Sequence, residues 1–141
     1  MSDLPHWQHF PHPADMGVRG HGLTLAQAFE QAALGLTAVV TDPAGVEARD
    51  DVEIQCEAPE TGILLYDFLN KLVYEMAVSQ RVFSRFQVRI DGDRLTARAW
   101  GERVDVSRHQ PAVEVKGATF TQLKVEQQPD GHWIAQCVLD I

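Results

Sequence analysis

Along the first third of the chain, Leu25, Ala28, Phe29, Ala32, Leu36 and Val39 recur at three- and four-residue steps. That period predicts an amphipathic helix over Leu25 to Val39. Thr24 with Gln27 suits a capping box, the threonine accepting from an early backbone N–H and the glutamine reaching back. Thr41-Asp42-Pro43-Ala44-Gly45 ends the helix, because the residue before a proline avoids helical geometry. A second helix is expected over Gly62 to Ser79 with Thr61 as its cap. Its apolar stripe (Leu64, Leu65, Phe68, Leu69, Leu72, Val73, Met76) is wide enough to pack on a sheet.

Elsewhere the period falls to two. Val52, Ile54 and Cys56 alternate with Glu53, Gln55 and Glu57, the pattern of a half-buried strand. Phe86 to Ile90 and Leu95 to Ala99 flank Asp91-Gly92-Asp93, which predicts a hairpin. A second hairpin is expected from Gln122 to Glu126 and Trp133 to Asp140, around Pro129-Asp130-Gly131. Met16 to His21 suits an early strand. The sum is an α+β fold, one domain over residues 1–141, with two helices on one side of a mixed, mostly antiparallel sheet.

Composition adds limits. A chain of 141 residues with 45% apolar content supports one hydrophobic core. No apolar run approaches the roughly 20 residues that span a bilayer. The opening residues lack a secretory pattern. Cytoplasmic location and a monomeric state are the default expectations. Cys56 and Cys137 fall at apolar strand positions and read as buried free thiols. A net charge of −8 disfavours tight direct binding to nucleic-acid phosphates. Hard divalent cations remain open, because carboxylates are their ligands.

Motif chemistry is sparse. Gly17, Gly20 and Gly22 are too scattered for a phosphate-cradling loop, and neither a Gly-x-Ser-x-Gly elbow nor a Cys-x-x-Cys pair occurs. His6, His9 and His12 have a spacing that could gather imidazoles for zinc on a helix. Pro5, Pro11 and Pro13 interrupt any such helix, so His12 reads as part of a turn and the other two as exposed.

Several segments resemble the archease family. His12-Pro13-Ala14-Asp15-Met16-Gly17 is close to that family's His-Thr-Ala-Asp-Ile-Gly signature, and Leu64 to Asn70 resembles the opening of its second helix. Gly101-Glu102, Arg108-His109-Gln110-Pro111 and Val113-Glu114-Val115-Lys116 follow in family order, before an acidic-then-aliphatic ending, Val138-Leu139-Asp140-Ile141. Pro13 and Gln110 depart from the common threonine and glutamate. Gly117 to Thr121 replaces a stretch that usually carries a tyrosine and then a histidine.

The resemblance implies a protein cofactor, not an enzyme. Its partner would be an RtcB-type RNA ligase, which it helps to become guanylylated from GTP and to turn over repeatedly in tRNA splicing or RNA repair. It also implies a divalent metal, calcium first and magnesium or manganese next, held by Asp15, Asp140 and the terminal carboxylate of Ile141. Ile141 shares the strand phase of Leu139 and Cys137, so its side chain is expected to be buried, fixing that carboxylate. Lys116 and His109 are activation candidates, Lys116 facing a phosphate or a ligase carboxylate. Asp42 and Asp67 match family positions but suit a turn and a helix surface. On the residues alone, a turn or cap is the commoner use of a residue such as Asp15, and Asp140-Ile141 reads as a frayed tail. The alternative is a free-standing metal-dependent hydrolase or nucleotide-binding enzyme, with His109 or Glu102 as base. A third reading is a purely structural binding module.

Overall fold

A computed structural model describes residues 4–141. The first strand, β1 (His6–His12), pairs antiparallel with β2 (Asp15–Gly22). Helix α1 (Leu25–Val40) follows, capped by Thr24, whose side chain accepts from the Gln27 N–H. Gln27 Oε1 reaches back one residue further than a capping box requires, accepting from the Leu23 N–H at 2.9 Å. Asp42 accepts from the Ala44 N–H and starts the short 3-10 turn Pro43–Gly45, the turn-shaping role expected of it.

Then come β3 (Asp50–Glu57), α2 (Thr61–Ser79), β4 (Arg81–Asp91) and β5 (Arg94–Arg103). Thr61 is the first helical residue of α2, and its capping position falls to Glu60, which makes no side-chain cap bond. The chain ends with α3 (Val106–His109), β6 (Gly117–Ala118), β7 (Lys124–Gln127) and β8 (Trp133–Asp140).

The α+β class holds, and every strand pair is antiparallel. The strands divide between two sheets. One runs β1-β2-β8-β6, with β7 also pairing β8; the other runs β3-β5-β4. The reason lies at β4, an edge strand whose open backbone is met by α1. Thr37 Oγ1 donates to Phe83 C=O at 2.8 Å, and the Val88 N–H donates to Glu30 Oε2 at 2.8 Å. Side chains of a helix thus occupy an edge that would otherwise recruit another strand. Burial pushes the Glu30 carboxyl up. One core joins both sheets and both long helices, centred on Phe29, Leu36, Leu65, Phe68, Leu72 and Phe83.

Strand β1 contradicts the expectation that His6 and His9 are exposed. Both are half-buried; His9 Nε2 lies 2.9 Å from Gly35 C=O of α1, and His6 stacks on His21. Pro11 is tolerated because β1 is an edge strand, and Pro5 and Pro13 fall outside it. Cys56 and Cys137 are free and buried, as expected, and burial pushes the Cys137 thiol up to about 12.

Gly20 explains one of the scattered glycines. A Cβ there would collide with the α1 backbone at Ala28 and Ala32, so glycine lets the helix lie directly on β2. Gly20→Ala is expected to destabilise by about 1–3 kcal/mol through overpacking. Urea unfolding checks this, with a lower midpoint at an unchanged slope.

Candidate metal centre

Strand β8 is flanked by β2 on one side and β6 on the other, and both registers bring candidate residues to its last rungs. Met16 pairs with Leu139, so the next rung of that register sets Asp15 opposite Asp140. The two side chains share a face, because each lies one residue beyond the directly paired Met16 and Leu139 towards the same end of the sheet. On the other flank, Gly117 pairs with Asp140, and the Lys116 N–H donates to Asp140 C=O at 2.7 Å. Asp15, Asp140, Lys116 and Ile141 therefore meet at one end of one sheet.

Local structure explains the placement. Pro13 and Ala14 form the two-residue turn between β1 and β2, and Ala14 takes the left-handed region at φ 63°. This costly backbone state delivers Asp15 directly after the turn. Asn70 of α2 holds β6 in place: its Oδ1 accepts from the Ala118 N–H at 2.9 Å, and its Nδ2 donates to Ala118 C=O at 3.4 Å. Ile141 packs against the core, so its main chain is anchored by its own side chain.

The donor set suits a hard cation. Asp15 and Asp140 pair with no lysine or arginine among the described residues. The nearest charged partner of Asp15 is His12, whose Nδ1 is 3.9 Å from Oδ2, too far for a hydrogen bond. That Nδ1 is buried and bonds to no described residue. The Lys116 side chain is exposed and its ammonium pairs with no described residue. Uncompensated carboxylates at one sheet end repel one another until a cation joins them.

His109 belongs to a different network. It is buried; Nδ1 accepts from the Asp105 N–H at 2.9 Å, so the ring proton sits on Nε2 and donates to Glu102 Oε2 at 3.0 Å. Glu102 is 3% exposed and accepts four further bonds: from the Glu47 N–H, from Arg49 Nε, and from both terminal nitrogens of Arg108 at 2.9 and 2.6 Å. The Arg108 fork, above all, holds the Glu102 carboxyl well below the ordinary glutamate range. Thr41 Oγ1 closes the network onto the His109 carbonyl. These residues lock the segment after β5 onto the end of α1. A carboxylate and an imidazole so committed have no free electron pair for a substrate, which removes the base that a hydrolase reading needs. The groove of about 450 Å³ beside α2, lined by Val73, Met76, Val82, Pro111 and Val115, includes neither Asp15 nor Asp140. At the opposite end of β2, burial, then the neighbouring rings of His6 and His132 and the charge of Arg19, lower His21 to about 4.

Fold and site together define a small α+β domain that presents carboxylates at a sheet end and buries the Glu102–His109 pair. Residues 7–141 match the sequence profile of the Archease protein family (MTH1598/TM1083). The chain is 43% identical to protein archease of Thermococcus gammatolerans and 41% identical to that of Pyrococcus furiosus, each over 96% of this chain and 98% of the relative. The solution structure of Methanobacterium thermoautotrophicum protein 1598 superposes with a TM-score of 0.81 at 30% identity, covering 96% of this chain and 98% of that one. The chain belongs to the archease family.

Proposed function

We propose that this chain is an activator of an RtcB-type RNA ligase, acting by protein contact to promote GTP-dependent guanylylation and repeated turnover in tRNA splicing or RNA repair. It is an accessory protein of the cytoplasm, working as a monomer, not a stand-alone enzyme. Family membership over nearly the whole chain supports the class of partner. The observation that carries the site is the β2–β8 register, whose Met16–Leu139 pair brings Asp15 and Asp140 to the same sheet end, without compensating cations among the described residues, near the exposed Lys116.

Asp15, Asp140 and the terminal carboxylate of Ile141 would hold a divalent cation, calcium first and magnesium or manganese next, as a set of hard oxygen ligands. When bound, such an ion neutralises charge on nucleotide phosphates and orients them. The chain's own residues do the rest. Asn70 and β6 fix Lys116 beside the carboxylates, and Lys116 receives a phosphate or a ligase carboxylate. The packed side chain of Ile141 keeps the last main-chain group from fraying. His109 stands as a positioning residue that shapes the loop leading to Lys116.

The test is a guanylylation assay. The purified chain alone is expected to turn over neither GTP nor RNA. Added in substoichiometric amount to a cognate ligase with GTP and a divalent cation, it is expected to speed formation of the covalent guanylate. Turnover by the isolated chain, or no effect on the ligase, overturns the proposal.

A further inference from the structure

The two outer edges of the β3-β5-β4 sheet are finished differently. On β4, α1 fills the open backbone with two side chains, Thr37 at Phe83 C=O and Glu30 at the Val88 N–H. On β3 the facing helix is α2. Among the described residues, α2 reaches the strand backbone through the exposed Lys71, whose Nζ donates to Gln55 C=O at 2.7 Å.

Strand parity fixes which other groups lie open. In an antiparallel ladder the N–H and C=O of one residue point to the same side, and that side alternates along the strand. The Ala58 N–H donates to Asp93 C=O, so Cys56 and Ile54 face β5 with it. Gln55 faces the other way, as its bond to Lys71 requires, and Glu53 and Glu57 share that direction. Their backbone groups and the Gln55 N–H meet no other strand, because β3 ends the sheet. The side chains of all three are exposed.

A groove of about 510 Å³ runs between this edge and α2, lined in part by Glu53, Gln55, Asp67, Lys71, Tyr74 and Glu75. Its free charge has one sign, since Lys71 is engaged with the strand. Glu53, Asp67 and Glu75 form no ion pair with any described residue. Glu57, further along the edge, meets Arg94 only at 3.7 Å. Tyr74 is 61% exposed, so an aromatic ring stands open beside the carboxylates. This lining suits a lysine or arginine side chain, through Coulomb attraction and the attraction of a cation to a ring face. Charged residues also guard strand edges against self-association. The guard here is selective. A second copy of β3 would set glutamates against glutamates, whereas a strand that carries cations is attracted. The chain's net charge of −8 steers such a partner towards it.

We propose that the β3 edge and the facing side of α2 receive an extended segment of a partner protein as an added strand, with lysine or arginine at positions four residues apart. Glu53 and Glu57 have that same spacing on one face of β3, so strand pairing sets the two cations directly opposite them. The backbone of the segment supplies hydrogen-bond partners for Glu53, Gln55 and Glu57, and its side chains supply selectivity. Lys71 leaves Gln55 C=O as the strand enters and turns to Asp67, one helical turn before it on α2. Tyr74 and Glu75 border the incoming cations from the helix side. The surface belongs to a different sheet from Asp15 and Asp140, so it stands or falls apart from the activator reading.

The experiment is a titration of the full chain with the peptide acetyl-Val-Lys-Val-Thr-Val-Lys-Val-amide, followed by calorimetry and by NMR of the backbone amides. Saturable binding is expected, with the Glu53, Gln55 and Glu57 amide signals shifting and their hydrogen exchange slowing. The same peptide N-methylated at its lysines and threonine keeps its charge but cannot donate from those positions. It is expected to bind about tenfold more weakly or worse. A version with glutamate in place of lysine is expected not to bind. Glu53→Lys combined with Glu75→Lys weakens the basic peptide on the order of tenfold, and Asp15→Asn leaves it unchanged. Equal binding of the N-methylated peptide reduces the surface to charge adhesion and overturns the proposal. Amide shifts confined to other strands overturn it too, as does the lack of saturable binding at millimolar peptide. Dimers of the chain alone that protect the same three amides assign the edge to a second copy and also overturn it. The peptide readings use the unmodified chain and stand even if a variant fails to fold.

Discussion

Asp15→Asn and Asp140→Asn should each abolish ligase activation while leaving the fold intact. Both side chains are solvent-accessible, and among the described residues neither bonds to lysine or arginine, so the substitution removes charge without unpairing a buried donor. Ligand charge sets the affinity of oxygen-donor sites over several orders of magnitude, and the loss of one carboxylate is expected to weaken calcium binding on the order of 100-fold. Without cation, stability should hold or rise slightly, because a repulsion between like charges is relieved. Residues appended after Ile141 should act in the same direction by converting its carboxylate into a peptide carbonyl. Calorimetric calcium titration and initial rates of ligase guanylylation check both. Full activation by either asparagine variant at low calcium would count against the site.

Glu102→Gln should produce the largest loss of stability. The carboxylate accepts five bonds, and the substitution turns one acceptor oxygen into a donor facing donors. Breaking a buried charged network in this way costs about 3–5 kcal/mol. The effect has a pH signature. The folded Glu102 carboxyl holds its proton more weakly than an unfolded glutamate, chiefly through Arg108. On acidification the unfolded chain therefore takes up the proton first. The contribution is complete at neutral pH, falls as pH drops below the ordinary glutamate value near 4.3, and is gone only below the folded value. The gap between parent and variant in urea midpoint should narrow steadily from about pH 5 towards pH 2. A gap that stays constant across that range would show that charge is not what the network uses.

The parts of the fold legible in the sequence were those governed by local periodicity. Helix α1 begins at Leu25 beside its Thr24 cap, and the β4–β5 hairpin turns at Gly92, whose φ of 64° requires such a residue. Strand β1 was hidden because Pro11 within it and Pro5 and Pro13 beside it signal interruption, whereas an edge strand tolerates Pro11. The four-residue α3 and the two-residue β6 are too short to show a period. The split into two sheets rests on Thr37 and Glu30 meeting β4 backbone 46 and 58 residues away, contacts no local pattern reports.

The candidate site was legible only through resemblance. Asp15 and Asp140 become neighbours through strand register, and nothing in either segment alone announces the other. Asn70 lay inside a family-like segment yet carried no signal of its role, because its partner, Ala118, is 48 residues on. His109 and Glu102 could be read as a catalytic pair from residue type. Burial and five filled acceptor positions assign them to architecture instead.

The proposed function depends on a hard ion held by Asp15, Asp140 and Ile141, just beyond the Met16–Leu139 pair. A crystal grown with calcium, or with manganese located by its anomalous scattering, gives the direct answer. The expected result is an ion about 2.3–2.6 Å from calcium-type ligand oxygens of Asp15, Asp140 and Ile141. An ion bound elsewhere at saturating concentration, with those three groups facing only water, would contradict it.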